Sequence, residues 1–398
     1  MKPASSPPHF VTLVLFTGLA VLSLNMFLPS LANMATDFRA DYAVVNLSIA
    51  GYLAVTAVLQ LIVGPLSDRF GRRPVMLTAL AVFAVASLGC TLATNVWVFL
   101  AFRVLQGAVI AGWAVSLGAI RDTAAPQKAA SLIGYVSMAM AVAPMLGPIF
   151  GGALDALFGW RASFIAFTVF GAALLLLAWL DLGETNVNRA ETFGQQLRSY
   201  PALLGSGRFW GFALCMAFSV SAFYAFLSGV PLVARGVLDL PPEKLGLYMG
   251  SISGGFFIGS FLSGRFAKRI ALTTLILWGR IAACLGPLVG LAFVLAGVVS
   301  EPTFFGATLF VGFGNGLTMP NGNAGVVSVR PDLAGSAAGL AGALMVGTGA
   351  LMTTITGVLV TDANAPLTLL LVMLASSALG LLAVLWVRSL DARQPQPG

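Results

Sequence analysis

Long apolar runs set the terms on which this chain can fold. Twelve stretches are nearly free of charge: 10–34, 44–66, 75–94, 96–120, 128–154 and 162–182, then 209–231, 244–266, 271–296, 303–328, 334–360 and 367–387. A helix of about 20 residues, rising about 1.5 Å each, spans a hydrocarbon core of roughly 30 Å. Inside lipid every N–H and C=O must pair within the protein, so each run is expected to be a helix. A membrane barrel would instead alternate over segments of about ten residues. Composition leaves no soluble alternative, because 58% of the chain is hydrophobic and only 9% charged, against about 25% charged in soluble domains. The expected fold class is an all-α integral membrane protein with twelve transmembrane helices. The first run is too long, and followed by too many others, for a cleavable signal peptide. Cys90, Cys215 and Cys284 fall inside apolar runs and read as small buried hydrophobes, with no disulfide or metal role.

The longest polar connection is Gly183–Arg208, with Glu184, Arg189, Glu191 and Arg198. Within it, 192–200 is expected as a short surface helix. The chain therefore divides into a six-helix bundle over 1–182, a cytoplasmic linker over 183–208 and a second six-helix bundle over 209–398. An internal echo supports two related halves. Leu66-Ser-Asp-Arg-Phe-Gly-Arg-Arg73 returns 196 positions later as Leu262-Ser-Gly-Arg-Phe-Ala-Lys-Arg269, at the same place in each half. With both termini in the cytoplasm, fifteen Lys and Arg lie on the inner side and only Arg39, Arg161, Arg235 and Lys244 on the outer, as the positive-inside rule requires. The net charge of +7 is then a topology signal, and no nucleic-acid partner is expected. Arg103 and Arg280 remain inside helices; Arg280, in the inner part of run nine, carries no motif and either reaches inward to water or serves the cytoplasmic gate. On this map no Asp or Glu sits at mid-membrane.

The stretch between runs two and three carries Gly64, Leu66, Asp68, Arg69, Gly71, Arg72 and Arg73. The glycines allow close packing and a tight turn, and Asp68 can sit near a facing helix N-terminus, where the dipole favours an anion. A solvated basic turn is the plainer alternative, but it leaves the Gly and Asp positions unexplained. In run four, Arg103 lies roughly 10 Å in from the outer end, with Gln106-Gly107 one turn on. An arginine at that depth is costly and usually functional, although its side chain can also reach outward to water. Run five places Gly134, Ala143, Pro144, Gly147, Pro148, Gly151 and Gly152 in one helix. Small residues bring helices close and the prolines bend them.

Two six-helix halves with Gly-x-Leu-x-Asp-Arg-x-Gly-Arg-Arg after helix two resemble the major facilitator superfamily. The resemblance implies an inner conformational gate made by Gly64, Asp68, Arg69, Gly71, Arg72 and Arg73. Asp68 would face the helix at 334–360, with Arg121 as basic partner. Arg103-Val-Leu-Gln106-Gly107 resembles the superfamily's Arg-x-x-Gln-Gly motif, which implies substrate or proton handling. The run-five pattern resembles the antiporter motif of drug exporters, with Ala143 where that pattern has Gly. It implies an outer gate at Gly134, Pro144, Gly147, Pro148, Gly151 and Gly152. Leu24-Asn25-Met26-Phe27-Leu28-Pro29, Arg121-Asp122, Gly159-Trp160-Arg161 and Pro320-Asn321 resemble the bicyclomycin/chloramphenicol-resistance (Bcr/CflA) drug exporters over nearly the whole chain. That family usually has an aspartate at the position of Asn25. Asparagine cannot titrate, which leaves proton coupling open; Asn25 serves either as a cavity hydrogen-bonding group or as helix–helix glue.

Aromatic and sulfur side chains crowd the expected cavity helices: Phe27, Tyr52, Trp113, Met138, Phe223, Tyr224, Phe256 and Phe257. Such groups suit promiscuous apolar binding. The resemblance implies a secondary transporter of the bacterial inner membrane, monomeric in the bilayer, that exports small amphiphiles by alternating access in exchange for protons. Two other readings stay open: an uncoupled or metabolite-specific facilitator, favoured by Asn25, and a non-transporting receptor or scaffold. An enzyme is not expected, since no Ser/His/Asp, metal or paired-carboxylate arrangement is present and His9 is the single histidine. No cofactor is expected.

Overall fold

The computed structural model describes residues 8–124, 132, 136, 144, 146–186, 201, 203–267, 269–330 and 333–393. The structure is helical along almost all of that length. The helices are α1 (Phe10–Asn25), α2 (Leu31–Phe38), α3 (Tyr42–Phe70), α4 (Arg72–Leu92), α5 (Val96–Gln106), α6 (Ala111–Thr123), α7 (Leu146–Phe158), α8 (Arg161–Asp181), α9 (Gly207–Gly236), α10 (Pro242–Phe266), α11 (Leu272–Leu295), α12 (Glu301–Val329), α13 (Ala334–Leu359) and α14 (Ala365–Arg393). Among the described residues ten helical spans are long and apolar enough to cross a membrane. Run ten is also a helix, α12, of 29 residues; its Gly and Asn residues dilute its apolar character. Run five is described only at its end, as α7. Gly134 and Met138 lie outside the described residues, as does the surface helix expected at 192–200.

Two expected helices are interrupted, and the residues explain why. Run one breaks after Asn25 into a 3-10 turn over Leu28–Ser30 before α2 resumes. Pro29 has no N–H, and its ring collides with the carbonyl four residues back, which is that of Asn25. Run four breaks after Gln106 into a 3-10 stretch over Gly107–Ile110. There a Cβ on Gly107 would meet Val55 at 3.2 Å and Thr56 at 3.4 Å on α3. Short 3-10 pieces inside long helices often mark functional hinges.

By its packing the chain forms two compact units, one of residues 1–193 with 242–247, the other of 194–241 with 248–398. Unit 1 has an aromatic core in which Phe27, Phe99, Phe164 and Phe167 meet at centroid separations of 5.3–5.8 Å. Residues 242–247 join this unit through glycine. A Cβ on Gly152 would stand 3.2 Å from the Glu243 Cα, and one on Gly246 would stand 2.9 Å from the Pro148 carbonyl carbon. Unit 2 packs Phe209, Phe212, Met216, Ile276, Val326 and Val384 into its core. In it α12 lies backbone to backbone against α10 and α11 at Gly255, Gly259, Gly279, Gly312, Gly314 and Gly316, the small-residue approach that membrane helices use. Large apolar side chains point outward, including Trp97, Leu157, Trp179 and Leu180. In water so much exposed apolar surface would aggregate; against lipid tails it is solvated.

Candidate functional site

Arg103 lies at the centre of unit 1 with no exposed surface. Its guanidinium carbon sits 4.4 Å from the Phe27 ring centroid and 4.6 Å from that of Tyr52. Nη1 donates to Gln106 Oε1 at 2.5 Å and Nε to the Ser48 carbonyl at 3.4 Å. The helix break after Gln106 leaves this amide free to donate onward to Ser87 Oγ at 2.6 Å, and Ser87 donates to the Phe83 carbonyl at 2.7 Å. Tyr52 is held from its other end, its hydroxyl 2.7 Å from Ser23 Oγ and 3.1 Å from the Ala20 carbonyl. Outward reach of Arg103 to water is thus excluded. The cation is held by two π faces and neutral dipoles, an arrangement that desolvated cation–π contact makes worth about 2 kcal/mol or more per ring. Nη2 has no hydrogen-bond partner among the described residues.

Asn25, two residues before Phe27, is also buried. Its amide nitrogen donates to the Val21 carbonyl at 2.7 Å, while Oδ1 has no partner among the described residues. Helix α7 presses directly on this break. A Cβ on Gly147 would stand 3.0 Å from the Asn25 Cβ, and one on Gly151 would overlap the Met26 carbonyl. The expected packing role of Gly147 and Gly151 is therefore met by the broken first helix, and Pro148 and Gly152 meet residues 242–246. Pro144 is half-buried.

The motif after run two folds differently from the expected polar insert. It is helical to Phe70, and only Gly71, at φ +103°, breaks the chain before α4. A Cβ on Gly64 would meet nothing within 4 Å, so Gly64 is not held by close packing here. Arg72 is the hub. It pairs with Asp68 at 2.6 Å and with Asp122 at 3.1 Å, and donates to Ser67 Oγ at 2.5 Å. Its backbone N–H donates to Glu184 Oε1 at 2.9 Å. Arg73 reaches the Trp179 carbonyl at 2.8 Å, and Arg69 stands 5.4 Å from its neighbour ring Phe70. Arg121 lies in α6, with its side chain outside the described residues. Sequence reasoning missed the acids that Arg72 gathers from α6 and from residue 184, because only folding brings them there.

Of the expected cavity residues, Tyr52, Arg103 and Gln106 come together in unit 1 with Phe27, and Asn25 lies two residues before Phe27 at the helix break. Trp113 is half-buried on α6. In unit 2, Phe223 and Tyr224 have ring centroids 5.7 Å apart, and Phe256 is half-buried. Phe257 is 61% exposed and belongs to the outer, lipid-type surface. Arg280 corrects the sequence reading most. It does not reach for water; it is fully buried in unit 2. Nε donates to Thr318 Oγ1 at 2.9 Å and Nη2 to Asn315 Oδ1 at 2.6 Å, and Asn315 in turn donates to the Ser219 carbonyl at 2.9 Å. Among the described residues, each unit therefore holds one arginine with no exposed surface. The signal that could have found the second is Asn315 and Thr318, three residues apart on one face of α12.

Comparison with known proteins bears on what such a site does. The family model described as Major Facilitator Superfamily matches residues 13–354. The chain is 28% identical over 360 residues to Multidrug resistance protein D of Escherichia coli (strain K12), covering 88% of this chain and 89% of that one. It is 26% identical over 365 residues to a Bicyclomycin resistance protein homolog of Haemophilus influenzae, covering 90% of each. It is also 33% identical to an uncharacterized MFS-type transporter of Bacillus subtilis, over 63% of this chain and 64% of that relative. Among solved structures, a bacterial homolog of the human lysosomal transporter Spinster superposes with a TM-score of 0.76 at 16% identity, covering 98% of both chains; at that identity the likeness concerns the fold.

Proposed function

Because the chain belongs to the major facilitator superfamily, we propose that it is a secondary transporter exporting small amphiphilic drugs from the cytoplasm of a bacterial cell. In this reading it sits in the inner membrane with both termini inside. It works by alternating access, in exchange for protons. The observation that carries the reading is the fully buried Arg103, clamped between Phe27 and Tyr52 where two spanning helices break. Nη2 of Arg103 and Oδ1 of Asn25, both buried and without partners among the described residues, suit a compound carrying a hydrogen-bond acceptor and a donor on an apolar body. The relatives named for multidrug and bicyclomycin resistance support the same substrate class. With an arginine and no carboxylate around it, the site favours neutral, zwitterionic or acidic amphiphiles over lone cations.

A drug-susceptibility panel in a pump-deficient host, with and without a protonophore, tests this. The expected result is raised resistance to neutral compounds such as chloramphenicol, abolished by the protonophore. Strong extrusion of a permanently charged quaternary dye would refute the charge argument. Asn25 favours a second reading, an uncoupled facilitator, because its buried amide cannot take up a proton. Liposomes with an imposed pH gradient separate the two, since gradient-driven accumulation of chloramphenicol removes the facilitator.

A further inference from the structure

The acid that helix one lacks at Asn25 has a counterpart on the helix packed against it. On α7, Gly147, Gly151 and Asp155 follow at four-residue intervals, so they share one face. Gly147 touches Asn25, Gly151 touches Met26, and Asp155 meets the start of α2. There Asn33 Nδ2 donates to Asp155 Oδ2 at 2.8 Å. Asp155 is 7% exposed, the most deeply covered carboxylate among the described residues. It lies one residue past the expected span, two helical turns or about 12 Å from the level of Gly147. Asn33 and Glu243 at its rim are exposed, which opens the site to water from that end of the helix.

Three neighbours make this carboxylate unlike the paired ones elsewhere. Glu243, in the first turn of α10, which docks on α7 at Gly152, brings a second negative charge close enough to act on it. Ser30 is fully buried beside it, and its hydroxyl acts on the ionised form as a hydrogen-bond donor. The remaining nearby charges are spoken for or turned away. Asp37 on α2 pairs with Arg161 at 2.6 Å and accepts from Trp160 Nε1 at 3.0 Å, and Lys244 is exposed. Burial holds the Asp155 carboxyl above the usual range; the Asn33 and Ser30 hydrogen bonds pull it part of the way back, and the Glu243 charge adds a smaller push.

We propose that Asp155, with Ser30, Asn33 and Glu243, is the proton-binding site of this transporter, in place of a carboxylate on helix one. Proton uptake converts the carboxylate to a carboxylic acid and removes its repulsion for Glu243. The first turns of α10, residues 242–247, then stay seated on α7. Ionisation restores the repulsion and loosens that seat. The sign follows from the raised value: seating is favoured as pH falls through it and is lost as pH rises through it. The inference rests on the proton-exchange reading above, and two readouts keep the two separable.

The first readout is transport in liposomes with chloramphenicol as probe. Wild type is expected to move it against its gradient when a pH gradient is imposed. Asp155→Asn is expected to lose that response while still exchanging chloramphenicol across the membrane without a gradient. The second readout is the infrared carboxyl band of the purified full chain, titrated with pH. A titrating band present in wild type is expected to vanish in Asp155→Asn. In Glu243→Gln its midpoint is expected to move to lower pH, as loss of a neighbouring like charge requires. Wild type that ignores the gradient but shows the titrating band would sink the exchange reading and leave the proton site standing. Gradient-driven transport by Asp155→Asn, or a midpoint unmoved in Glu243→Gln, would overturn the proposal.

Discussion

Gly151→Ala tests the packing that links the broken first helix to α7. A Cβ added there stands 2.5 Å from the carbonyl carbon of Met26 and 3.2 Å from its Cα, and overlaps the carbonyl oxygen, where ordinary contact begins at 3.4 Å. The obstacle is backbone, which has no rotamer to yield. The two segments must therefore separate by about 1 Å or more, and forced overpacking of that kind costs about 1–3 kcal/mol, occasionally more. The helix gains back only about 0.5–1 kcal/mol from replacing Gly by Ala. Gly147→Ala, whose Cβ would stand 3.0 Å from the Asn25 Cβ, needs a shift of only a few tenths of an ångström and is expected to cost less. Gly64→Ala, with open space around it, is expected to be neutral or stabilising. Thermal unfolding of the three variants in one detergent, with chloramphenicol resistance at matched membrane abundance, reads both stability and function. The expected order of stability is Gly64→Ala, then Gly147→Ala, then Gly151→Ala, with resistance lost in the last. Wild-type stability and resistance in Gly151→Ala would refute the argument that α7 must touch the Asn25–Phe27 break.

Three further perturbations separate charge from packing. Arg103→Met removes the buried cation with little change of volume and is expected to stay folded, since apolar replacement of a buried charge is often near neutral; resistance should nevertheless fall at least about ten-fold, the worth of one lost contact of about 1.4 kcal/mol. Arg103→Lys should do no better, because a point ammonium cannot sit flat between two rings and keep the Gln106 bond. In unit 2, a double-mutant cycle of Arg280→Met and Asn315→Leu, read by thermal unfolding, should give a coupling of about 1.5–3 kcal/mol, the range for hydrogen bonds to a charged group; additivity would mean the 2.6 Å contact contributes nothing. Arg72→Ala strips the shared partner from Asp68 and Asp122, and crosslinking between one cysteine near the end of α3 and one on α6, both placed clear of 68 and 122, should broaden in that background if Arg72 holds α3 to α6.

The long apolar runs could be read without coordinates because lipid permits one solution for the backbone, and among the described residues the helices lie where the runs lie. The break at Asn25 was also latent in the chain, since Pro29 fixes the lost carbonyl four residues back. Arg103 and Gln106 on one helix face follow from spacing alone. The facts beyond the reach of spacing are those that cross between helices. The Arg72 hub draws Asp122 from another helix and Glu184 from over a hundred residues away. Arg280 looked able to reach water, yet its own helix says nothing of Thr318 and Asn315 across the interface. Gly64 and Gly151 carry the same letter, and only the neighbouring backbone distinguishes the one with open space from the one with none. The amino-acid sequence by itself determined that the chain crosses a membrane many times and keeps its acids at helix ends, because transfer of charge and unpaired backbone into hydrocarbon is too costly to allow anything else. Tertiary structure alone decided which buried cations are held, by what, and which acid is enclosed, because those depend on side chains brought within 3–5 Å by packing between helices that the sequence does not pair.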